Sequence, residues 1–190
     1  LSLNDRAYLE VKALILEGQL RPGTKLGHWD LANMLNVSRT PIREGLERLH
    51  QEGYVRRVPR RGFFVSELDT ADARDLYGPR EALELYALAQ TFRVGFTSAE
   101  LSALKGLEAD YAAMVVDGRR AKRGELDRDF HIALAGLSGN RYLVKSLSTV
   151  FEKLLVKRRT DGYRFDRGAS AVEEHARLLE ALRRQDQAAA

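Results

Sequence analysis

The stretch Val37-Ser-Arg-Thr-Pro-Ile-Arg-Glu-Gly-Leu-Glu-Arg-Leu49 predicts a short helix with an apolar and a polar face. Its apolar residues recur at helical spacing and form one stripe suited to burial: Ile42, Leu46 and Leu49. Pro41 suits the first helical position, and we expect the hydroxyl of Thr40 to cap the helix.

The first turn of this helix carries two guanidinium groups and a hydroxyl, from Arg39, Arg43 and Thr40. In a major groove, arginine can bridge O6 and N7 of guanine, while serine and threonine can bind phosphates. The segment therefore resembles a recognition helix. Taken alone, it is equally compatible with a solvated helix that carries scattered arginines.

The sequence before this segment predicts a helix over 29–36, with Leu31, Met34 and Leu35 facing inward. Asn36 follows at the turn, since asparagine tolerates the left-handed conformation. Helix, tight turn and helix make a helix-turn-helix motif. An amphipathic helix over 4–17 precedes it.

The sequence after the segment predicts two short strands, over 54–58 and 63–65, joined by a basic turn over 59–62. Such a hairpin directly after a recognition helix is typical of a wing. We expect Arg60 and Arg61 in its turn to enter an adjacent minor groove or to contact phosphates.

The positive charge of the chain is concentrated in the predicted recognition helix and wing. The 190 residues carry a net charge of +4, and the stretch from residue 39 to 61 has seven arginines against three glutamates. This is a localised surface for a polyanion. The absence of cysteine is compatible with a reducing cytoplasm. We see no membrane-spanning run or signal peptide and expect a cytoplasmic, nucleoid-associated protein without membrane contact.

The remaining chain, 68–190, has helical periodicity and no further strand signal. We predict five helices at about 70–95, 97–118, 123–138, 140–160 and 170–187, packed as an all-α bundle. A capping box is expected at 97–100, and Gly78-Pro79 should break or kink the first of these helices. The fold class is therefore mainly α: a winged helix-turn-helix of three helices and two strands over 1–67, followed by the bundle.

Polar residues on apolar helix faces are the functional signal of this second part. Asp127 and His131, at i and i+4, lie on one face of the third bundle helix, and His175 lies on the apolar face of the last one. They can be hydrogen-bonded core residues, or they can bind a first-row divalent ion. Arg80 also points inward and would pair with an anion such as a carboxylate.

Residues 1–67 resemble the winged-helix domain of the GntR family of bacterial transcription regulators. The matching segments are 18–26, 37–46 and 61–65. The resemblance implies that DNA is contacted by the following residues: Ser38, Arg39, Thr40, Arg43 and Gly62. One departure is clear, because the usual arginine early in the second helix has no counterpart at Trp29.

The second part resembles the FCD effector-binding domain of the FadR subgroup of that family, through the segments 127–131, 138–140 and 174–175. The resemblance implies a divalent metal of the Zn, Ni or Mn type, held by Asp127, His131 and His175. A further histidine ligand of the family would fall beyond Ala190. Arg80 matches the arginine that faces an organic-acid effector.

These observations predict a bacterial, ligand-responsive transcription regulator rather than an enzyme. We expect a homodimer on double-stranded operator DNA, with a helical domain that senses a small carboxylate through a divalent metal. A metal-dependent hydrolase with a nucleic-acid-binding appendage is the alternative, because an open metal site could activate water. A purely structural dimerisation bundle is the third possibility.

Overall fold

A computed structural model describes residues 2–118, 120–161 and 167–189. The chain divides into two compact units, Leu1–Ala73 and Arg74–Ala190. The first unit contains three helices and three short strands: α1 (Leu3–Leu16), β1 (Lys25–Leu26), α2 (His28–Leu35), α3 (Arg39–Gln51), β2 (Val55–Val58) and β3 (Gly62–Val65).

The recognition helix α3 is fixed by its apolar stripe. Ile42, Leu46 and Leu49 are fully buried, as the helical spacing predicts. The packing of α3 on α1 is close at Gly45, where a Cβ would lie only 3.1 Å from the backbone nitrogen of Tyr8 and would require the two helices to shift slightly. The buried stripe therefore leaves the polar residues of the α3 first turn exposed.

The start of α3 differs from the prediction. The helix begins at Arg39, with Ser38 as its N-cap, so Thr40 lies inside the first turn and does not cap it. Pro41 occupies the third helical position instead of the first. This is possible because N–H groups throughout the first turn have no partner within a helix, so a proline there removes no helical hydrogen bond.

The inward face of α2 is also partly different from the prediction. Leu31 and Ala32 are buried, whereas Met34 is 59% exposed. The apolar side of this two-turn helix is rotated away from position 34 and includes position 32 instead. The predicted left-handed residue is confirmed at Asn36, with φ 50° and ψ 49°, and it ends α2 before α3 begins.

The wing is the hairpin of β2 and β3, as predicted. The sheet has the order β1-β3-β2, and Arg57 pairs with Phe63 in the antiparallel register. The additional strand β1 pairs with β3 and was not predicted, since two residues carry no detectable alternation.

Five helices continue the chain: α4 (Thr70–Val94), α5 (Ser98–Val116), α6 (Arg120–Gly136), α7 (Arg141–Thr160) and α8 (Gly168–Arg184). They confirm the predicted helices to within about three residues. The capping box is also confirmed, with Thr97 accepting from the Glu100 N–H and Glu100 accepting from the Thr97 N–H. No helix in the described ranges is long and apolar enough to cross a lipid bilayer.

A break or a kink is expected at Gly78-Pro79, and α4 does not break there but runs through Pro79 as a single helix. A proline inside a helix removes one hydrogen bond and costs roughly 3 kcal/mol. Packing of the following turns offsets that local penalty, since Leu83, Ala87 and Leu88 lie in the apolar core.

Helix α6 is central to the core of the second unit. Its Ala135 belongs to a cluster with residues of α4 and α7, and its Phe130 and Leu134 belong to a cluster with residues of α5 and α8. Polar residues on the buried surface of α6 are therefore surrounded by neighbouring helices.

Candidate functional site

The exposed N-terminus of α3 forms a basic surface. Ser38, Arg39, Thr40 and Arg43 are all exposed, and the first turn of the helix contains no acidic residue. The Ser38 side chain makes no capping hydrogen bond, so its hydroxyl is available to a ligand. Free N–H groups and the helix dipole add positive potential at this end, which suits phosphate.

The wing tip adds two further arginines. Arg60 has a left-handed backbone with φ 61°, and both it and Arg61 are exposed beside Gly62. The strand arginines are different, because Arg57 lies 3.1 Å from a carboxylate oxygen of Glu47 and is partly neutralised. The tip therefore presents more of its charge than the strands do.

In the second unit, α6 and α8 bring the three sequence-predicted metal ligands together. The Nε2 atoms of His131 and His175 are 3.4 Å apart, and Asp127 Oδ1 lies 3.9 Å from the former and 3.7 Å from the latter. The nearest point equidistant from these three atoms is about 2.1 Å from each, the usual length of a zinc bond to imidazole nitrogen. The cluster therefore has the dimensions of a metal site.

The protonation states also suit a cation. Burial, followed by the positive charge of His131, lowers the pKa of His175 from 6.5 to about 4, so its ring is neutral near pH 7. Burial opposes ionisation of Asp127, but the charges of His131 and Arg158 outweigh it and lower the pKa of the carboxyl. An ionised carboxylate and a neutral imidazole are ligands of first-row divalent ions, and His131 can join them when its Nε2 carries no proton.

The aromatic surroundings hold these rings in place. His175 stacks on Phe130 at 4.1 Å between ring centroids, and its Nδ1 is buried without a hydrogen-bond partner. His131 stacks on Phe151 at 5.4 Å. Because each ring is fixed by packing, the two Nε2 lone pairs can face one point in a largely buried environment, where their interaction with a cation is stronger than in water.

Glu84 and Arg158 belong to this site and were not predicted from the sequence. Glu84 Oε1 lies 2.7 Å from His131 Nδ1, although the imidazole N–H is poorly aligned with it, and Arg158 donates to Asp127 Oδ2 over 3.0 Å. A carboxylate beside Nδ1 keeps the proton there and leaves Nε2 free as a ligand atom. The signal for Glu84 in the sequence was its position one turn after Arg80.

Arg80 lies against the same cluster. Its Nε donates to Glu84 Oε2 over 3.1 Å, and its Nη2 lies 3.2 Å from His131 Nε2. The guanidinium carbon is 4.4 Å from the centroid of the Phe151 ring. A half-buried cation thus borders the three candidate ligands and can meet an anion bound beside them.

The arrangement as a whole is that of a DNA-binding regulator, with a winged helix-turn-helix in one unit and a helical bundle around a polar cluster in the other. Residues 3–65 match the model of bacterial regulatory proteins of the gntR family, and residues 75–190 match that of the FCD domain. The chain therefore belongs to the GntR family, with a C-terminal FCD domain, and is a transcription regulator.

Individual relatives agree with this assignment. The Nta operon transcriptional regulator of Aminobacter aminovorans is 34% identical over 172 residues, which cover 90% of this chain and 80% of that protein. An HTH-type transcriptional regulator in an unstable DNA locus of Streptomyces ambofaciens is 34% identical over 180 residues, covering 92% and 73%. The structure of E. coli McbR/YncC is similar with a TM-score of 0.75 at 25% identity, covering 100% of this chain and 90% of that one. None of these comparisons supports the hydrolase alternative.

Proposed function

We propose that this regulator is ligand-responsive, with residues 1–67 binding operator DNA and residues 68–190 binding a divalent metal and a small organic acid. The observation that carries the proposal is the convergence of Asp127, His131 and His175 beside Arg80. A homodimer would present two winged helices to two half-sites related by two-fold symmetry. Its place of action would be the cytoplasm, on nucleoid DNA.

In the DNA-binding part, the first turn of α3 supplies the contacts that read sequence. Arg39 and Arg43 carry the forked donors that match guanine in the major groove. Ser38 and Thr40 bind phosphates through their hydroxyls and set the register of the helix. The wing-tip residues Arg60, Arg61 and Gly62 approach the neighbouring groove or backbone, where arginine is favoured by the negative potential of the DNA.

In the bundle, Asp127, His131 and His175 hold the ion, of the Zn, Ni or Mn type. When bound, the ion supplies a positive, Lewis-acidic centre that attracts a carboxylate oxygen of the effector. Arg80 has to give up its contact with His131 Nε2 when that lone pair binds the ion. The N–H donors of its two Nη groups are then left for the effector, which we infer to be a carboxylate because a guanidinium binds that group with two parallel hydrogen bonds.

Glu84 stays paired with Arg80 through Nε, over 3.1 Å, while the Nη groups bind the effector. The effector therefore meets a guanidinium whose charge is already partly neutralised. The change in DNA affinity cannot exceed the effector's difference in affinity between the two states of the protein.

The test is the metal content of the purified protein and its variants, measured by mass spectrometry after dialysis. We expect close to one ion per chain, and we expect His131→Ala to lose it. His50→Ala is the matched control, because this exposed histidine lies outside the site. Equal metal content in His131→Ala and the unmodified protein would contradict the assignment.

A thermal melting series with small mono-, di- and tricarboxylates then tests the effector. We expect at least one to raise the melting temperature of the metal-loaded protein, and Arg80→Ala to reduce that shift. A protein that holds no metal and responds to no carboxylate would favour the purely structural dimerisation bundle.

A further inference from the structure

The only tryptophan of the chain lies against an arginine of the recognition helix. Trp29 is the second residue of α2, and its side chain is 63% exposed. The guanidinium carbon of Arg39, the first residue of α3, is 4.8 Å from the centroid of the indole ring. The αL residue Asn36 makes the tight turn between the two helices.

Arg39 has an aromatic partner and no acidic one, whereas the strand arginines Arg56 and Arg57 each lie near a carboxylate as well as a ring. Arg57 lies 3.1 Å from Glu47, and Arg56 lies 3.7 Å from Glu67. Within the described part of the chain, the Arg39 guanidinium has neither an ion pair nor a hydrogen bond, and it contacts the Trp29 ring. An acidic partner would weaken the attraction of Arg39 to a phosphate or base, whereas an indole ring leaves the charge intact.

Contact with the ring face also leaves the hydrogen-bonding capacity of Arg39 available. The indole ring carries no carboxylate or carbonyl oxygen that would accept from the five N–H donors of the guanidinium, so these remain available to DNA. The contact limits the rotamers of a long side chain before DNA arrives. Immobilising such a side chain at an interface otherwise costs about 0.5–1.5 kcal/mol.

We propose that Trp29 is a positioning residue of the DNA interface, holding Arg39 with its donors directed outward for a guanine edge or a phosphate. The proposal rests on the proposed function in one respect, namely that Arg39 contacts DNA. It adds that α2 contributes to recognition through an aromatic platform rather than through a direct polar contact.

A double-mutant cycle tests the proposal on the full-length chain. The probe is the tightest-binding duplex recovered from random-sequence DNA by the unmodified protein. We expect Trp29→Ala to weaken binding of this duplex about two- to tenfold. We expect Trp29→Ala to have no further effect in the Arg39→Ala background, because the ring then has nothing to position.

Two further variants complete the design. Trp29→Phe keeps an aromatic face and should restore most of the affinity. Met34→Ala removes another exposed apolar side chain of α2 and should leave the affinity unchanged. Thermal melting of each variant identifies any loss caused by unfolding.

The outcomes separate this proposal from the DNA contact on which it rests. Losses that add in the double variant would overturn it, since Trp29 would then act independently of Arg39. The proposal would also be overturned if Trp29→Ala left the affinity for the duplex unchanged while Arg39→Ala lowered it. In that case the Arg39 contact with DNA would still stand. If Arg39→Ala itself binds the duplex normally, the contact assigned to Arg39 fails first.

Discussion

Asp127 and Glu84 are acidic residues with different places around the histidine cluster. Asp127 Oδ1 faces the same point as the two Nε2 atoms, whereas Glu84 faces the opposite nitrogen of His131, 2.7 Å away. Asp127 is therefore a candidate ligand, and Glu84 is a candidate for orienting a ligand.

This difference predicts the effect of Glu84→Gln. The variant should bind Zn²⁺ about 10- to 100-fold more weakly, because an amide fixes the His131 tautomer less well than a carboxylate. Competition with a colorimetric chelator measures the affinity. Glu81→Gln, an exposed residue of the same helix, is the control. Identical affinities for Glu84→Gln and the unmodified protein would remove Glu84 from the site.

Arg43 is the second guanidinium of the α3 first turn, and it is exposed. Arg43→Ala should lower the affinity for a selected operator duplex by about 1–3 kcal/mol if this arginine reads a base. Lys105→Ala, in the helical unit, removes the same charge far along the chain and is the matched control. If Arg43→Ala binds the duplex with unchanged affinity, the assignment of this residue to base recognition is wrong.

Two of the three candidate ligands could be grouped together from the sequence because they lie on one helix. Asp127 and His131 are one turn apart, so their shared face follows from helical geometry alone. Arg158 and Glu84 could not be found in this way, since they reach the cluster from α7 and α4. Their approach depends on how helices pack, and periodicity within one segment contains no information on that distance.

At the scale of the elements, α5 offers a pH-dependent contribution to stability. Hydrogen bonds from the Thr97 backbone and hydroxyl lower the pKa of Glu100 below its ordinary value of 4.5. A carboxyl with a lowered pKa stabilises the folded state above its unfolded pKa, and this contribution is lost as the pH falls through the folded pKa.

Glu100→Gln should therefore be less stable than the unmodified protein at pH 7, and the difference should shrink below about pH 4.5. Denaturant unfolding across this range measures the difference. Glu108→Gln, a residue later in the same helix, serves as the comparison. A difference that stays constant with pH would show that the Glu100 charge does not contribute through this capping box.

Helices were predictable from the sequence where their apolar periodicity extended over several turns. The bundle helices carry several turns of apolar periodicity and were predicted to within about three residues. Two errors involved short-range rules that packing overrode, the start of α3 and the orientation of Met34, and Pro79 did not break α4. Each local preference is worth a few kcal/mol at most, and burial of neighbouring apolar residues offsets such amounts.

At the scale of the whole molecule, the chain combines two units with different chemistry. The stretch that contains α3 and the wing carries a net charge of +4, so the rest of the chain is close to neutral. Charge concentrated in this way makes binding to any DNA strongly dependent on salt, while base contacts supply the preference for one sequence. A dimer would place two such surfaces on one duplex and multiply that preference.

The most direct test of this account is selection of duplexes from random-sequence DNA by the purified full-length protein at moderate salt. We predict enrichment of one sequence with two half-sites related by two-fold symmetry, their centres about one helical turn or a multiple apart. Recovery of duplexes without a shared sequence, in a background that salt removes, would contradict sequence-specific operator binding. Enrichment of a single unrepeated half-site would contradict the dimer.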